Sequence, residues 1–210
     1  MLSGADSLAR TYATERDKVN CPFYSKIGAC RHGESCSRIH NKPTFSQTIL
    51  LSHLYMNPKA KRADKDKPRS DADQEREDQR HFDEFYEDIF LEFMKYGKID
   101  QIVVFDNISD HMVGHTFVKY TDEDEAEVAL EALQGRWYNQ RPIVAELSPV
   151  TDFAEARCKQ SGKASCGRGG YCNFAHFHSI SNHLKDELYS IQDDYWKKRK
   201  TGVYPEPQRA

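Results

Sequence analysis

Three cysteines and a histidine stand at Cys21, Cys30, Cys36 and His40 with C-x8-C-x5-C-x3-H spacing, and again at Cys158, Cys166, Cys172 and His176 with C-x7-C-x5-C-x3-H spacing. The two windows use all 6 cysteines of the 210-residue chain. Three thiolates and one imidazole saturate a tetrahedral Zn2+ ion and leave no position for a reacting water, so the spacing predicts two structural zinc sites, one ion in each. A segment of about twenty residues buries too little apolar surface to fold alone, so the metal must supply the folding free energy, roughly 10–16 kcal/mol in such peptides. An even cysteine count also suits a disulfide framework. That reading fails on cysteine density, on the odd number in each window and on the histidine that closes both triplets.

The spacing resembles that of CCCH zinc fingers, whose usual ligand is single-stranded RNA. A hydrophobic fraction of 38% and a mean hydropathy of -0.81 are low for one large core and suit several small units. No apolar run approaches the roughly 18 residues of a membrane span, and residues 1–20 are polar without a signal-peptide core. The expectation is a soluble protein of a reducing compartment, with no membrane partner.

The net charge of -3 argues against a nucleic-acid partner only until it is resolved by segment. Residues 1–42 carry 7 Lys/Arg against 4 Asp/Glu and residues 151–180 carry 4 against 2, whereas residues 70–95 carry 3 against 10. Both finger segments are therefore basic and one middle segment is strongly acidic, as expected of surfaces that serve partners of opposite charge. A solvated face is the alternative for the acidic segment.

In chain order, a short helix is expected over Ala5 to Arg16, then the first finger. The β-branched and aromatic run Thr44 to Tyr55 reads as a strand, and the charged stretch Lys59 to Arg69 as a linker. Ser70 is a candidate N-cap for one long helix ending at Gly97, with Phe82, Phe85, Ile89 and Phe93 as its buried stripe. Strands follow over Lys98 to Phe105 and Gly114 to Tyr120. A helix over Asp122 to Gln134 is capped by Thr121, and a final strand runs from Pro142 to Leu147. Asp152 caps a short helix leading into the second finger, and Ser181 to Lys200 is helical, with Leu184, Leu188, Ile191 and Trp196 near one face. The fold class is α+β: a ferredoxin-like β-α-β-β-α-β unit, the arrangement of an RNA-recognition motif (RRM), flanked by two CCCH fingers. The divisions are 15–43 for the first finger, 44–148 for the RRM-like unit, 151–178 for the second finger, 179–200 for the C-terminal helix and 201–210 for the tail.

The RNA face of that unit is degenerate. An RRM octamer of K/R-G-F/Y-G/A-F-V-x-F/Y type stands here as VGHTFVKY, Val113 to Tyr120, with Val113 in the basic position and His115 in an aromatic one. Leu50 occupies the expected stacking position of the first strand. Each lost platform removes roughly 1–3 kcal/mol of base stacking, so the sheet keeps little RNA affinity of its own, and Phe117 is read as packing rather than stacking. On the acidic helix, Asp83 with Glu87 and Glu84 with Asp88 are like-charge pairs one turn apart, which a basic partner would relieve. Trp137, in a turn between Arg136 and Tyr138, is either folded back on the core or displayed as an interface anchor.

Two CCCH fingers around a degenerate RRM, an acidic first helix and an Arg-x-aromatic loop resemble the small subunit of the U2 auxiliary factor. So do the runs Lys18 to Cys21, Lys26 to Gly33, Asn41 to Thr48 and Ala145 to Phe153. The resemblance implies a nuclear, non-enzymatic pre-mRNA splicing factor. It would read the AG dinucleotide of single-stranded pre-mRNA at the 3′ splice site, pair with a large subunit and meet other spliceosome components. It also implies that Arg136 and Tyr138 form a pocket for a partner tryptophan, that Trp137 inserts reciprocally, and that the acidic contacts fall among Glu84, Glu87 and Asp88. For RNA it implies Phe23 or Tyr24, with Arg31, Ser37 and Arg38, in the first finger, and Gln160, Arg168, Tyr171 and Phe174 in the second. A CCCH protein of message decay or 3′-end processing is the competing RNA-binding role. A protein-interaction scaffold is a third reading, which the basic fingers disfavour.

Overall fold

The strand-forming runs pair into one antiparallel sheet in the computed structural model, which describes residues 18–62, 71–161 and 166–201. Four strands, β1 (Thr48–Leu51), β2 (Ile99–Phe105), β3 (Thr116–Tyr120) and β6 (Ala145–Leu147), lie in the order β6-β1-β3-β2. The short strands β4 (Trp137–Tyr138) and β5 (Arg141–Pro142) make a separate hairpin, and β7 (Phe177–His178) adds a fifth strand beyond β2. Leu50 pairs with Phe117 and Phe117 with Val103, while Ile49 pairs with Val118 and Val118 with Ile102. Alternate residues of a strand face opposite ways, so these two rows line opposite faces of the sheet, and each face has its own core.

One face is covered by α3 (Asp71–Phe93) and α4 (Glu123–Leu133). Phe82, Phe85, Tyr86, Ile89, Phe90 and Phe93 recur at helical spacing on α3 and are buried against Ile49, Val118 and Tyr120, joined by Ala126, Ala129 and Leu133 of α4. The other face carries Leu50, Val103, Phe105 and Phe117. It is roofed by Ile27 and Ala29 of the first finger, by Val150, Phe153 and Ala156, and by Ala175 of the second finger. Phe117 is 0% exposed, so the packing expectation holds, and the roof over it is the finger segments themselves.

Several boundaries differ from expectation. The first strand is only Thr48–Leu51, because the chain turns away at His53, whose φ is 55°. The start of the expected linker forms α2 (Pro58–Arg62), where Lys59 N donates to Asn57 Oδ1 at 3.0 Å. The expected final strand is split between β5 and β6. Thr121 does not cap α4: its hydroxyl donates to Lys98 O at 3.1 Å, and Asp122 Oδ1 accepts Asp124 N instead. Gly97 has no positive φ. It is small because a Cβ there would stand 2.4 Å from Glu125 Cβ. The helix expected over Ala5 to Arg16, the cap Ser70, and Pro205 and Pro207 lie outside the described residues.

Between Asp152, which caps α5 (Phe153–Ala156) as expected, and the C-terminal α6 (Asn182–Lys200) lies the second finger. Ser181 Oγ accepts Leu184 N to start α6. Ile191 was expected on its inner face but is 39% exposed, and Gln192 is fully buried in its place. β7 reaches only Val104 and Phe105, which leaves the edge of β2 without a strand at Ile99. The Gln192 amide fills that gap, accepting from Ile99 N at 2.8 Å and donating to Ile99 O at 3.0 Å, so both backbone groups are satisfied by a side chain.

Candidate metal centres and nucleic-acid interface

Both fingers close by the same device. In the first, α1 (Pro22–Ile27) has proline in its opening turn and ends at Gly28, whose φ of 74° turns the chain back toward Cys30. Cys21 N donates to Ile39 O and Ile39 N to Val19 O, both at 2.9 Å, and this bridge sets His40 beside Cys21. In the second, Cys158 N donates to Ala175 O at 2.8 Å and Ala175 N to Ala156 O at 3.0 Å, which places His176 in the same way.

The donor atoms within each cluster all lie within 4.8 Å of one another. Cys30 and Cys36 sulfurs are 3.8 Å apart, and Cys158 stands 3.9 Å from both Cys166 and Cys172. A tetrahedron with Zn–S bonds of about 2.3 Å has sulfur–sulfur edges of about 3.8 Å, so the spacing is that of a zinc site and far beyond a disulfide. Nε2 of His40 and Nε2 of His176 are buried without a hydrogen-bond partner, as expected of nitrogens that face a metal. Burial lowers the basicity of both rings, against a smaller opposite pull of Asp106 on His176, and so favours the neutral, ligating form. Each Cys3His cluster thus fits one Zn2+.

The two fingers meet. Phe23 and Phe174 rings are 6.0 Å apart and tilted, and Lys26 Nζ pairs with Glu155 Oε2 at 3.5 Å across the seam. The loop after β2 fastens the second finger to the sheet. Asp106 N donates to His176 O, the Asn107 amide donates to the carbonyls of Cys172 and Phe174 and accepts His176 N, and Ile108 N donates to Gly170 O. The Asp106 carboxylate also holds Lys59 and His178.

Of the residues expected to touch RNA, Phe23 (38% exposed), Phe174 (40%) and Tyr171 (64%) present open rings. Arg31, Ser37, Arg38, Gln160 and Arg168 are exposed as well. Tyr24 is not available for stacking. It is buried, its ring lying parallel to His40 at 4.5 Å, so it packs on a zinc ligand.

Beside α3, on the helix-covered side of the sheet, the β4–β5 hairpin displays Trp137 at 67% exposure, which decides between burial and display. Tyr138 turns inward, its ring 5.9 Å from Phe85 and its hydroxyl 3.5 Å from Asp88 Oδ2. Burial, reinforced by Asp88, pushes its phenol up to about 12. Arg136 bonds Glu92 Oε1 at 2.6 Å and the Tyr96 hydroxyl. Among the expected acidic contacts only Asp88 reaches this hairpin. Glu84 and Glu87 are exposed and hold no ion pair among the described residues. Glu92 is the acid missed by sequence reasoning, although its place seven residues after Phe85 sets it on the same helical face.

A family model for the RNA recognition motif matches residues 85–144, and one for the zinc finger of C-x8-C-x5-C-x3-H type matches residues 17–42. The chain is 52% identical over 189 residues to the splicing factor U2af 38 kDa subunit of Drosophila melanogaster, covering 89% of this chain and 71% of that one. It is 51% identical over 191 residues to the U2AF 23 kDa subunit of Schizosaccharomyces pombe, covering 91% and 86%. To the U2AF 26 kDa subunit of Rattus norvegicus it is 51% identical over 189 residues, covering 88% and 84%.

Proposed function

We propose a function from the premise that this chain belongs to the U2AF small-subunit family, whose members are splicing factors and not enzymes. The protein binds single-stranded pre-mRNA at the 3′ splice site and recognises its AG dinucleotide through both fingers at once. It works in the nucleus as the smaller half of a heterodimer, with the large subunit held at the Arg136-Trp137-Tyr138 hairpin, and through that complex it meets other spliceosome components.

The observation that carries this reading is the 6.0 Å approach of Phe23 to Phe174 over a sheet whose own stacking residue, Phe117, is buried. Each finger alone offers one or two open rings and a few cationic side chains, too little for a specific short site. Side by side they offer three rings and Arg31, Arg38 and Arg168, which suits splayed-out bases stacked on aromatic rings, with their phosphates held by guanidinium groups. The sheet supports the pair instead of reading the strand. The exposed Trp137, with Arg136 locked by Glu92, supports a protein partner at this hairpin beside α3, since Trp, Tyr and Arg dominate binding hot spots.

In-cell crosslinking followed by sequencing of the bound RNA tests the reading. Tags that accumulate on the AG at intron ends support it, and tags confined to untranslated regions of messages would replace it with the decay or 3′-end-processing role.

A further inference from the structure

A cavity of about 240 Å3 opens at the seam of the fingers, walled by Phe23, Arg31 and His32 of the first and by Asn173 of the second. Ala29 and the zinc ligand Cys30 complete the first finger's wall, and the one lining residue that belongs to neither finger is His111. We propose that the loop between β2 and β3 delivers His111 as the third wall of a pocket for one unstacked RNA base. This rests on the RNA-binding reading above and extends it, since the RRM-like unit then contributes directly to the RNA site.

The position of His111 is fixed from both sides. Upstream, Asn107 and Ile108 are bonded to the second finger, and a Cβ on Gly170 would stand 2.6 Å from Ile108, so loop and finger are in close contact. Downstream, Met112 is 0% exposed in the core beneath the first finger, and Met112 N and Val113 N both donate to Ser109 O, which closes a tight turn. His111 sits at the crest of that turn, half-buried. The loop is thus in contact with both fingers at their seam.

The lining suits a base better than a phosphate. Phe23 provides a ring face. Arg31 provides donors, one of which (Nε) already bonds His32 Nε2 at 3.3 Å, while the Asn173 amide and the His111 imidazole each combine a donor with an acceptor. A phosphate takes donors only, whereas base edges alternate donors and acceptors. Neither the His111 ring nor the Asn173 amide has a hydrogen bond among the described residues, so both are open to a ligand.

The test uses the full chain bound to its large partner and a short AG-containing RNA, together with a series in which each nucleotide in turn is abasic. An abasic residue keeps sugar and phosphate and removes the base alone. His111→Ala is expected to weaken the intact RNA about tenfold, within the range for loss of a base contact. At one abasic position it is expected to have no further effect. His111→Gln, which keeps a donor and an acceptor, is expected to lose less and to be silent at the same position. Zinc content of two per chain shows that each variant is folded. Unchanged affinity in both variants overturns the proposal. So does a loss of equal size on every abasic RNA, which marks a backbone or purely structural role. If the unaltered protein does not prefer AG over a uridine tract, the RNA reading itself falls, and this inference with it.

Discussion

Gly28 of the first finger rides directly on Phe117 of the sheet: a Cβ built on the glycine would stand 2.8 Å from the phenylalanine ring. Its φ of 74° already disfavours any other residue, so two independent constraints hold one position. Phe117 occupies a base-stacking position of an RRM and has been converted into the floor for a zinc finger. Phe117→Ala is therefore expected to cost about 3–5 kcal/mol of stability, the usual loss for a buried phenylalanine. Urea unfolding measures this. A variant as stable as the parent but weaker only for RNA would restore Phe117 as a stacking platform.

Trp137 is expected to behave in the opposite way. Its exposed ring contributes little to the fold, so Trp137→Ala should leave stability within about 0.5 kcal/mol. The same substitution should weaken capture of the large subunit by about 2–4 kcal/mol, as hot-spot tryptophans do. Calorimetric titration with the large subunit reads the second number, and unchanged affinity would remove the hairpin from the interface.

The Arg136–Glu92 pair predicts a pH dependence. Burial alone would raise the Glu92 carboxyl, but hydrogen bonds from Lys95, Tyr96 and Arg136 outweigh it and hold the group at about 2, against an ordinary value of 4.5. A carboxyl lowered by folding adds stability that is fully present above about 4.5 and is lost as pH falls toward about 2. Both partners are partly exposed, 43% for Arg136 and 30% for Glu92, so solvent screens the pair and the contribution stays below about 1 kcal/mol. Unfolding midpoints of Glu92→Gln should accordingly converge with those of the parent toward pH 2 and fall slightly below them at pH 6. A constant gap across that range would show that the glutamate acts through packing.

Residues whose signal is local were legible in the sequence. The eight zinc ligands follow from spacing, the α3 stripe from a 3.6-residue period, and the Asp152 cap and the α6 helix from residue type. What escaped depends on long-range contacts between polar groups. Gln192 looks like a surface residue until the unpaired edge of β2 at Ile99 requires it. Asn107 reads as ordinary turn chemistry and is in fact a buried bracket on the second finger. Tyr24 and Phe23 are adjacent aromatics of similar size, and only the helical turn of α1 decides that one packs on His40 while the other faces outward. Alternation along β1 and β3 shows that both sheet faces are apolar, but not that the second face is roofed by the two fingers, whose ligands are separated by more than a hundred residues of chain.

Asn107 gives the sharpest test of how the second finger is held. It is 0% exposed, donates to Cys172 O at 2.9 Å and Phe174 O at 3.1 Å, and accepts His176 N at 2.8 Å, so one side chain spans the interval between two zinc ligands. Removing it leaves the buried Cys172 carbonyl without this partner, at about 1–3 kcal/mol, and strips the part-buried Phe174 carbonyl and His176 N–H as well, at less for each. Asn107→Asp keeps the shape but sets carboxylate oxygens against two carbonyls, so it should be at least as damaging as Asn107→Ala. Because the cost falls on the Cys172–His176 segment, the second finger should release zinc to a chelator faster than the first, whereas in the parent the two should differ less. Zinc release followed with a colorimetric chelator should therefore become biphasic, one ion leaving early. The helical signal of α3, whose core of Phe82, Phe90 and Tyr120 contains no metal ligand, should persist through that first phase. Release of both ions in a single step together with that signal would mean that the fingers and the sheet unfold as one unit, and that Asn107 stabilises the whole rather than one finger.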